Sequence, residues 1–187
     1  MAKITNTKVS FFNEAVIGSK YPMATSVDSL TSEVTDTTRK LASAPSGSGH
    51  DNFLKGIVVS FDMTFSQKAW PEAQRYHFLE LVSSTSTMHR LERMDIESCC
   101  NKYVTATAKA NLERCRDEYL RTKSKEDFLT MIYNIPSGFE LRAKMVTNYQ
   151  QLKTIYHQRR NHRLPDWQVF CDWIEGLPHS DLITGIR

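Results

Sequence analysis

The 187-residue chain contains no run of about 18 apolar residues, the length a membrane-crossing helix needs, so no segment is expected to span a bilayer. Its opening residues, MAKITNTKVSFF, have no apolar stretch of the kind that drives secretion. A cytoplasmic location is therefore expected. Cysteine is scarce: Cys99, Cys100, Cys115 and Cys171, with no CxxC pair. That excludes a redox dithiol motif and offers no zinc-ligand spacing, so no metal site is expected. Adjacent Cys99 and Cys100 suit a disulfide poorly, which points to free buried thiols in a reducing compartment. GxSxG, the phosphate-binding GxxxxGK, HExxH and GxGxxG are all missing, so none of the standard catalytic or dinucleotide fingerprints applies. Charge of one sign is not in large excess: the net charge is +3, too mild to argue for nucleic acid as a partner. There are no internal repeats or low-complexity tracts.

What is present reads as a globular protein. Hydrophobic residues make up 40% and charged residues 24%, and the length suits one domain over 1–187 with a real core. Residues 6–12 alternate weakly and read as a first strand. The spacing of Leu30, Val34, Thr38 and Leu41 predicts a helix over 27–42. A small-residue loop, Ser43-Ala44-Pro45-Ser46-Gly47-Ser48-Gly49, follows; it is a plain connection or a place where backbone N–H groups approach a ligand. Strict alternation of Ile57, Val59, Phe61, Met63 and Phe65 predicts a strand with one buried face. Helices are then predicted over 69–82, about 107–121, a short stretch ending before Pro136, about 141–160, and from Pro165 onward. Ser83 to Thr87 reads as a polar loop. The class is α+β: a small mixed or antiparallel sheet with a helix-rich C-terminal half. Trp167, Phe170, Trp173 and Ile174 form an apolar stripe too wide to be solvated, so they are expected in a core or a subunit interface.

Among the six histidines, His50 stands out, because it follows the small-residue loop and precedes a strand, where side chains tend to be functional. The hydroxyls of residues 83–87 beside His89 and Arg90 either turn the chain or bind a phosphate. The basic stretch His157-Gln158-Arg159-Arg160-Asn161-His162-Arg163 is either a solvated helix end or a contact for a phosphate or flavin pyrophosphate.

Taken in serial order, these segments resemble the flavin-dependent thymidylate synthases over roughly residues 30–178. That family carries Gly-His-x-Ser-x-x-Glu-His entering a strand. Here Gly49 and His50 match, Asn52 replaces the serine, and Lys55-Gly56 replace Glu-His. The family's Arg-His-Arg triplet is absent; Gln74-Arg75-Tyr76-His77 lies in the corresponding place, with Ser84, Ser86 and Arg90 for its downstream serines and arginine. Ile135-Pro136 resembles Leu-Pro. Asn148-x-Gln150-x-Leu152 resembles Asn-x-Arg-x-Leu with the arginine lost, and Arg160 lies at the right distance beyond. Asp166-Trp167-Gln168-Val169-Phe170 overlies a segment that ends in a pyrimidine-binding arginine, replaced here by Phe170.

The resemblance implies a homotetramer with flavin and nucleotide at subunit interfaces. It implies reductive methylation of dUMP or a related pyrimidine nucleotide, with FAD as cofactor and NADPH and methylenetetrahydrofolate as co-substrates. His50, Arg75, His77, Asn148 and Arg160 would contact flavin; Gln74, Ser84 and Ser86 would contact nucleotide. Arg90 and Arg163 would supply the catalytic cation, with Arg160 as another cation within reach of the vacated position. The missing arginines leave a second reading open: a catalytically degenerate homologue that keeps the oligomeric scaffold to bind a nucleotide or a protein partner. The chain's compactness points to a phage or mobile-element source.

Overall fold

The computed structural model describes residues 1–185. Four strands, β1 (Lys3–Ser10), β2 (Val58–Ser66), β3 (Glu80–Ser84) and β4 (Glu140–Asn148), form an antiparallel sheet in the order β1-β2-β4-β3. Around it lie α1 (Phe12–Gly18), α2 (Asp36–Ala42), α3 (Trp70–Ala73), α4 (Thr87–Arg90), α5 (Ile96–Cys99), α6 (Ala106–Thr122), α7 (Lys125–Tyr133), α8 (Tyr149–Arg159), α9 (Pro165–Glu175) and α10 (Asp181–Thr184). No helix among the described residues is long and apolar enough to cross a membrane.

Alternation sets the sheet's two faces. Val59, Phe61, Met63 and Phe65 of β2 are fully buried, as are Ala143 and Met145 of β4. They meet Leu152, Ile155 and Tyr156 of α8 and Trp167, Phe170, Cys171 and Ile174 of α9 in one core. Each large side chain so enclosed contributes about 1.5–3 kcal/mol relative to exposure. The stripe expected to be covered is in this core: Trp167, Phe170 and Ile174 are buried outright. Trp173 is half-buried, packs on Phe61 at 4.5 Å, and donates its Nε1–H to Thr7 Oγ1 at 3.0 Å. The other sheet face is polar, with Asp62 between Arg142, Lys144 and Asn6. A second apolar cluster, including Leu91, Ile96, Leu112, Met131 and Phe139, lies under α5, α6 and α7.

The local readings differ from the structure in four places. The first strand, read over 6–12, runs Lys3–Ser10, because Phe12 already begins α1. The 27–42 helix begins only at Asp36, because Thr35 and Thr38 form a reciprocal capping box there. Before it, Lys20 Nζ donates to the carbonyls of Thr31 and Glu33, at 2.7 and 2.8 Å, so that stretch satisfies backbone groups without a helix. The 69–82 helix stops at Ala73, and Glu80–Ser84, partly read as loop, is strand β3, registered Leu81 to Met145. The 141–160 helix is strand β4 followed by α8. Met145 and Tyr149 do share helical spacing, but Ala143, Met145 and Thr147 alternate with Arg142 and Lys144, and pairing with both β2 and β3 decides in favour of the strand. The four cysteines are free; Cys99 is partly exposed and the others are buried.

Candidate functional site

Helix α8 organises the site. Asn148 ends β4 and caps α8, its Oδ1 accepting the Gln151 N–H at 2.9 Å. The fixed start of the helix orients two neighbouring flanks. One holds Gln150 and Lys153, the other Gln151, Thr154 and Gln158.

The second flank faces the chain that follows α3. Together they form a groove of about 340 Å³ lined by Arg75, Tyr76, His77 and Phe78 on one side and Gln151, Thr154, Gln158 and Arg159 on the other. Its floor is locked. Arg159 donates Nε–H to Tyr76 Oη and Nη1–H to Glu72 Oε2, both at 2.8 Å, and its guanidinium lies 4.7 Å over the Trp167 ring. Tyr76 Oη in turn donates to Gln158 Oε1 at 2.9 Å, and Glu72 also takes the Trp167 Nε1–H at 2.9 Å. Arg75 and His77 are exposed at the rim and make no ion pair among the described residues. A guanidinium, an imidazole, carboxamides and a hydroxyl converge without an opposing free acid, a donor set suited to an anionic, hydrogen-bonding group.

The first flank holds the small-residue loop. Asp51 is fully buried; its Oδ2 meets Lys153 Nζ at 2.9 Å, and its Oδ1 accepts the Gln150 Nε2–H at 3.0 Å. Lys153 Nζ also donates to the carbonyls of Ala42 and Ala44, at 2.7 and 2.6 Å. His50, next to Asp51, is exposed, and Gly47 and Gly49 turn the loop with φ of +88° and +83°.

The remaining expected residues scatter. Gln74 is exposed at the end of α3. Ser84 is exposed on β3 opposite Ala143, and Ser86 precedes α4, at whose end Arg90 stands exposed. Ser84, Ser86 and Arg90 lie along or just beyond the outer strand β3, whose Leu81 and Val82 are exposed, as are Phe78 before it and Met88 after it. Exposed apolar side chains on an outer strand invite pairing with another chain. Arg160 is engaged by Asp172 Oδ1 at 2.8 Å and Glu175 Oε1 at 3.1 Å. Arg163 lines a different cavity, of about 650 Å³, with Lys68, Tyr103, Glu140, Pro165 and Val169, at the sheet end opposite Asn148. The basic stretch is thus mostly paired: Arg159 and His162 turn to Glu72, and Arg160 turns to α9.

Sequence reasoning missed Asp51, Lys153, Gln151 and Thr154. For Lys153 a signal exists: it sits among Tyr149, Leu152 and Tyr156 on an otherwise apolar stripe, where a cation requires a buried partner.

No protein-family model matches the chain, and no curated protein matches it by sequence. Solved structures do match it in fold. Thymidylate synthase X from Helicobacter pylori, crystallised with FAD and dUMP, superposes with a TM-score of 0.76 at 14% identity, covering 99% of this chain and 98% of that one. A second structure of the H. pylori enzyme, again complexed with FAD and dUMP, gives a TM-score of 0.76 at 15% identity and covers 98% of each chain. A UMP/dUMP methylase, PolB from Streptomyces cacaoi bound with 5-bromo-dUMP, gives 0.63 at 13% identity, over 94% of this chain and 88% of that one. The chain therefore has the fold of the flavin-dependent thymidylate synthases across its length.

Proposed function

We propose that the protein binds flavin and a pyrimidine nucleotide and carries out reductive methylation of dUMP or a related nucleotide. The observation that supports this most is the groove: Arg75 and His77 stand free over Gln151, Thr154 and Gln158 of α8, on a fold whose solved examples hold FAD and dUMP. The fit is partial within one chain. At about 340 Å³ the groove is at the small end of ligand pockets, about 300–1,000 Å³, so it suits an anionic segment of a dinucleotide rather than the whole. The exposed β3 strip beside it would then be covered by another copy, completing the site in a homotetramer. His50 and Asn148 would lie on the flavin side, and Gln74, Ser84 and Ser86 on the nucleotide side.

Bound FAD would supply hydride transfer, with NADPH and methylenetetrahydrofolate as co-substrates. The chain's part is to orient the pyrimidine and to place a cation where negative charge develops on its carbonyl. Arg90, on the β3 side, is the nominated cation of the same chain; Arg163, in the separate cavity at the other end of the sheet, would serve only from another copy.

A second reading rests on a specific observation. Phe170 is enclosed by Phe61, Phe65, Trp167 and Trp173, and Arg160 is committed to α9, so neither brings a cation to the vacated arginine position. On that reading the scaffold binds a nucleotide or protein partner without the reaction.

Two assays separate the readings. Absorption spectra of the protein before and after FAD loading report flavin binding. Release of tritium from [5-³H]dUMP, with NADPH and methylenetetrahydrofolate present, reports substitution at C5. Flavin uptake with protein- and folate-dependent tritium release supports the enzyme; neither signal, with dUMP still bound in equilibrium dialysis, supports the scaffold.

A further inference from the structure

Lys153 and Asp51 form the most completely satisfied buried charge pair among the described residues. The three N–H groups of the ammonium meet three acceptors: Ala42 O, Ala44 O and Asp51 Oδ2, at 2.7, 2.6 and 2.9 Å. The second carboxylate oxygen of Asp51 takes Gln150 Nε2–H at 3.0 Å. Ala42 ends α2, so the ammonium also satisfies carbonyls left open at that helix's C-terminus, where a cation is favoured by the dipole.

The consequence lies between the anchors. Segment 45–50 leaves α8 after the Ala42 and Ala44 carbonyls and returns to it at Asp51. Its ends are therefore tied to a single turn of one helix. His50 is the last residue before the anchor, and consecutive Cα atoms are about 3.8 Å apart, so the position of His50 is set by where Lys153 holds Asp51. The same turn of α8 carries Gln151 and Thr154 into the groove. Gln150 stands where the resembled family has arginine. The nearby cation on this flank of α8 is Lys153, whose ammonium is directed inward.

We propose that Lys153, acting through Asp51, is a positioning residue that couples the His50 loop to the α8 groove. It touches no ligand itself. The inference rests on the reading that the groove and the loop bind flavin. An arginine cannot replace it, because a planar guanidinium cannot direct three donors from one nitrogen to three converging acceptors.

The test is a double-mutant cycle in FAD affinity, read by quenching of flavin fluorescence, over wild type, K153M, H50A and K153M/H50A. Amide hydrogen exchange of the ligand-free proteins is measured alongside. In K153M, exchange at Ser46–Asp51 is expected to rise about tenfold or more while β2 and β4 amides hold. FAD affinity is expected to fall about tenfold in K153M, and the double variant is expected to bind no worse than H50A, because both act on the same contact. Independent, additive losses overturn the coupling. K153R is expected to behave like K153M; full rescue by arginine overturns the three-acceptor argument. Should K153M fail to fold, D51N/K153M, which removes both buried charges, takes its place. Wild-type protein that takes up no FAD defeats the flavin reading but not the latch, which then stands or falls on the exchange at Ser46–Asp51.

Discussion

Placing an arginine at position 170 is predicted to unfold the protein. Phe170 is fully buried, with ring centroids of Phe61, Phe65, Trp167 and Trp173 at 5.9, 6.0, 5.7 and 5.1 Å. Truncating a buried phenylalanine to alanine costs about 3–5 kcal/mol, lost transfer energy plus a cavity. Each aromatic contact adds about 0.5–1.5 kcal/mol beyond area burial. F170A should therefore lose about 4 kcal/mol or more of a total that for domains of this kind is about 5–15 kcal/mol. F170R loses the same contacts and also places an unpaired guanidinium among aromatic rings, a further several kcal/mol. The assay is urea unfolding followed by tryptophan emission, since Trp167 and Trp173 flank the site. A sharply lowered midpoint for F170A and no cooperative transition for F170R are expected. F170R unfolding at the wild-type midpoint would refute the reasoning, because the side chain would then reach solvent or a ligand surface.

Other consequences are equally direct. Burial raises the thiols of both Cys99 and Cys171, that of Cys171 to about 11, but Cys99 is partly exposed, so mild alkylation of the folded protein should modify Cys99 well before Cys171; equal rates would contradict the packing of α9. The hydrogen bond from Arg142, with that from Asn6, lowers the Asp62 carboxyl to about 2. Its folded value lies below its unfolded one, so its stabilising effect is present above about pH 4 and fades as pH falls toward about 2. A carboxyl NMR titration should show this midpoint, and R142A should move it upward; an unmoved midpoint would dismiss the sheet-face pair. A Cβ at Gly138 would stand 2.5 Å from Val104 Cγ2 and 2.8 Å from Asn101 Oδ1, so G138A should cost about 1–3 kcal/mol, read as a lowered Tm. An unchanged Tm would show that this wall of the larger cavity yields.

Legibility in the sequence followed the physics of each segment. The β2 strand was readable because its alternation is unbroken, and α6, α7 and α9 because their caps and apolar stripes agree. β4 was misread because Met145, Tyr149, Leu152 and Tyr156 keep helical spacing across a real boundary at Asn148, and the competing alternation of Ala143, Met145 and Thr147 takes effect only through pairing on both edges. β3 was hidden because its residues are exposed, so no burial period marks them. Of the candidate residues, the structure brings Arg75 and His77 to one groove and leaves His50 exposed on its loop. Asn148, expected to contact flavin, uses its side chain to cap α8. The Asp51–Lys153 pair joins positions 102 apart, and no local pattern reveals such a pairing.

The most direct test of the account is equilibrium FAD binding to the wild-type protein and to R75A and H77A, followed by visible absorbance after removal of excess flavin. The account predicts flavin bands that persist in the wild type and weaken in both variants, with the far-UV circular dichroism unchanged. Wild-type protein that remains colourless, or variants that retain flavin as firmly as wild type, would contradict it.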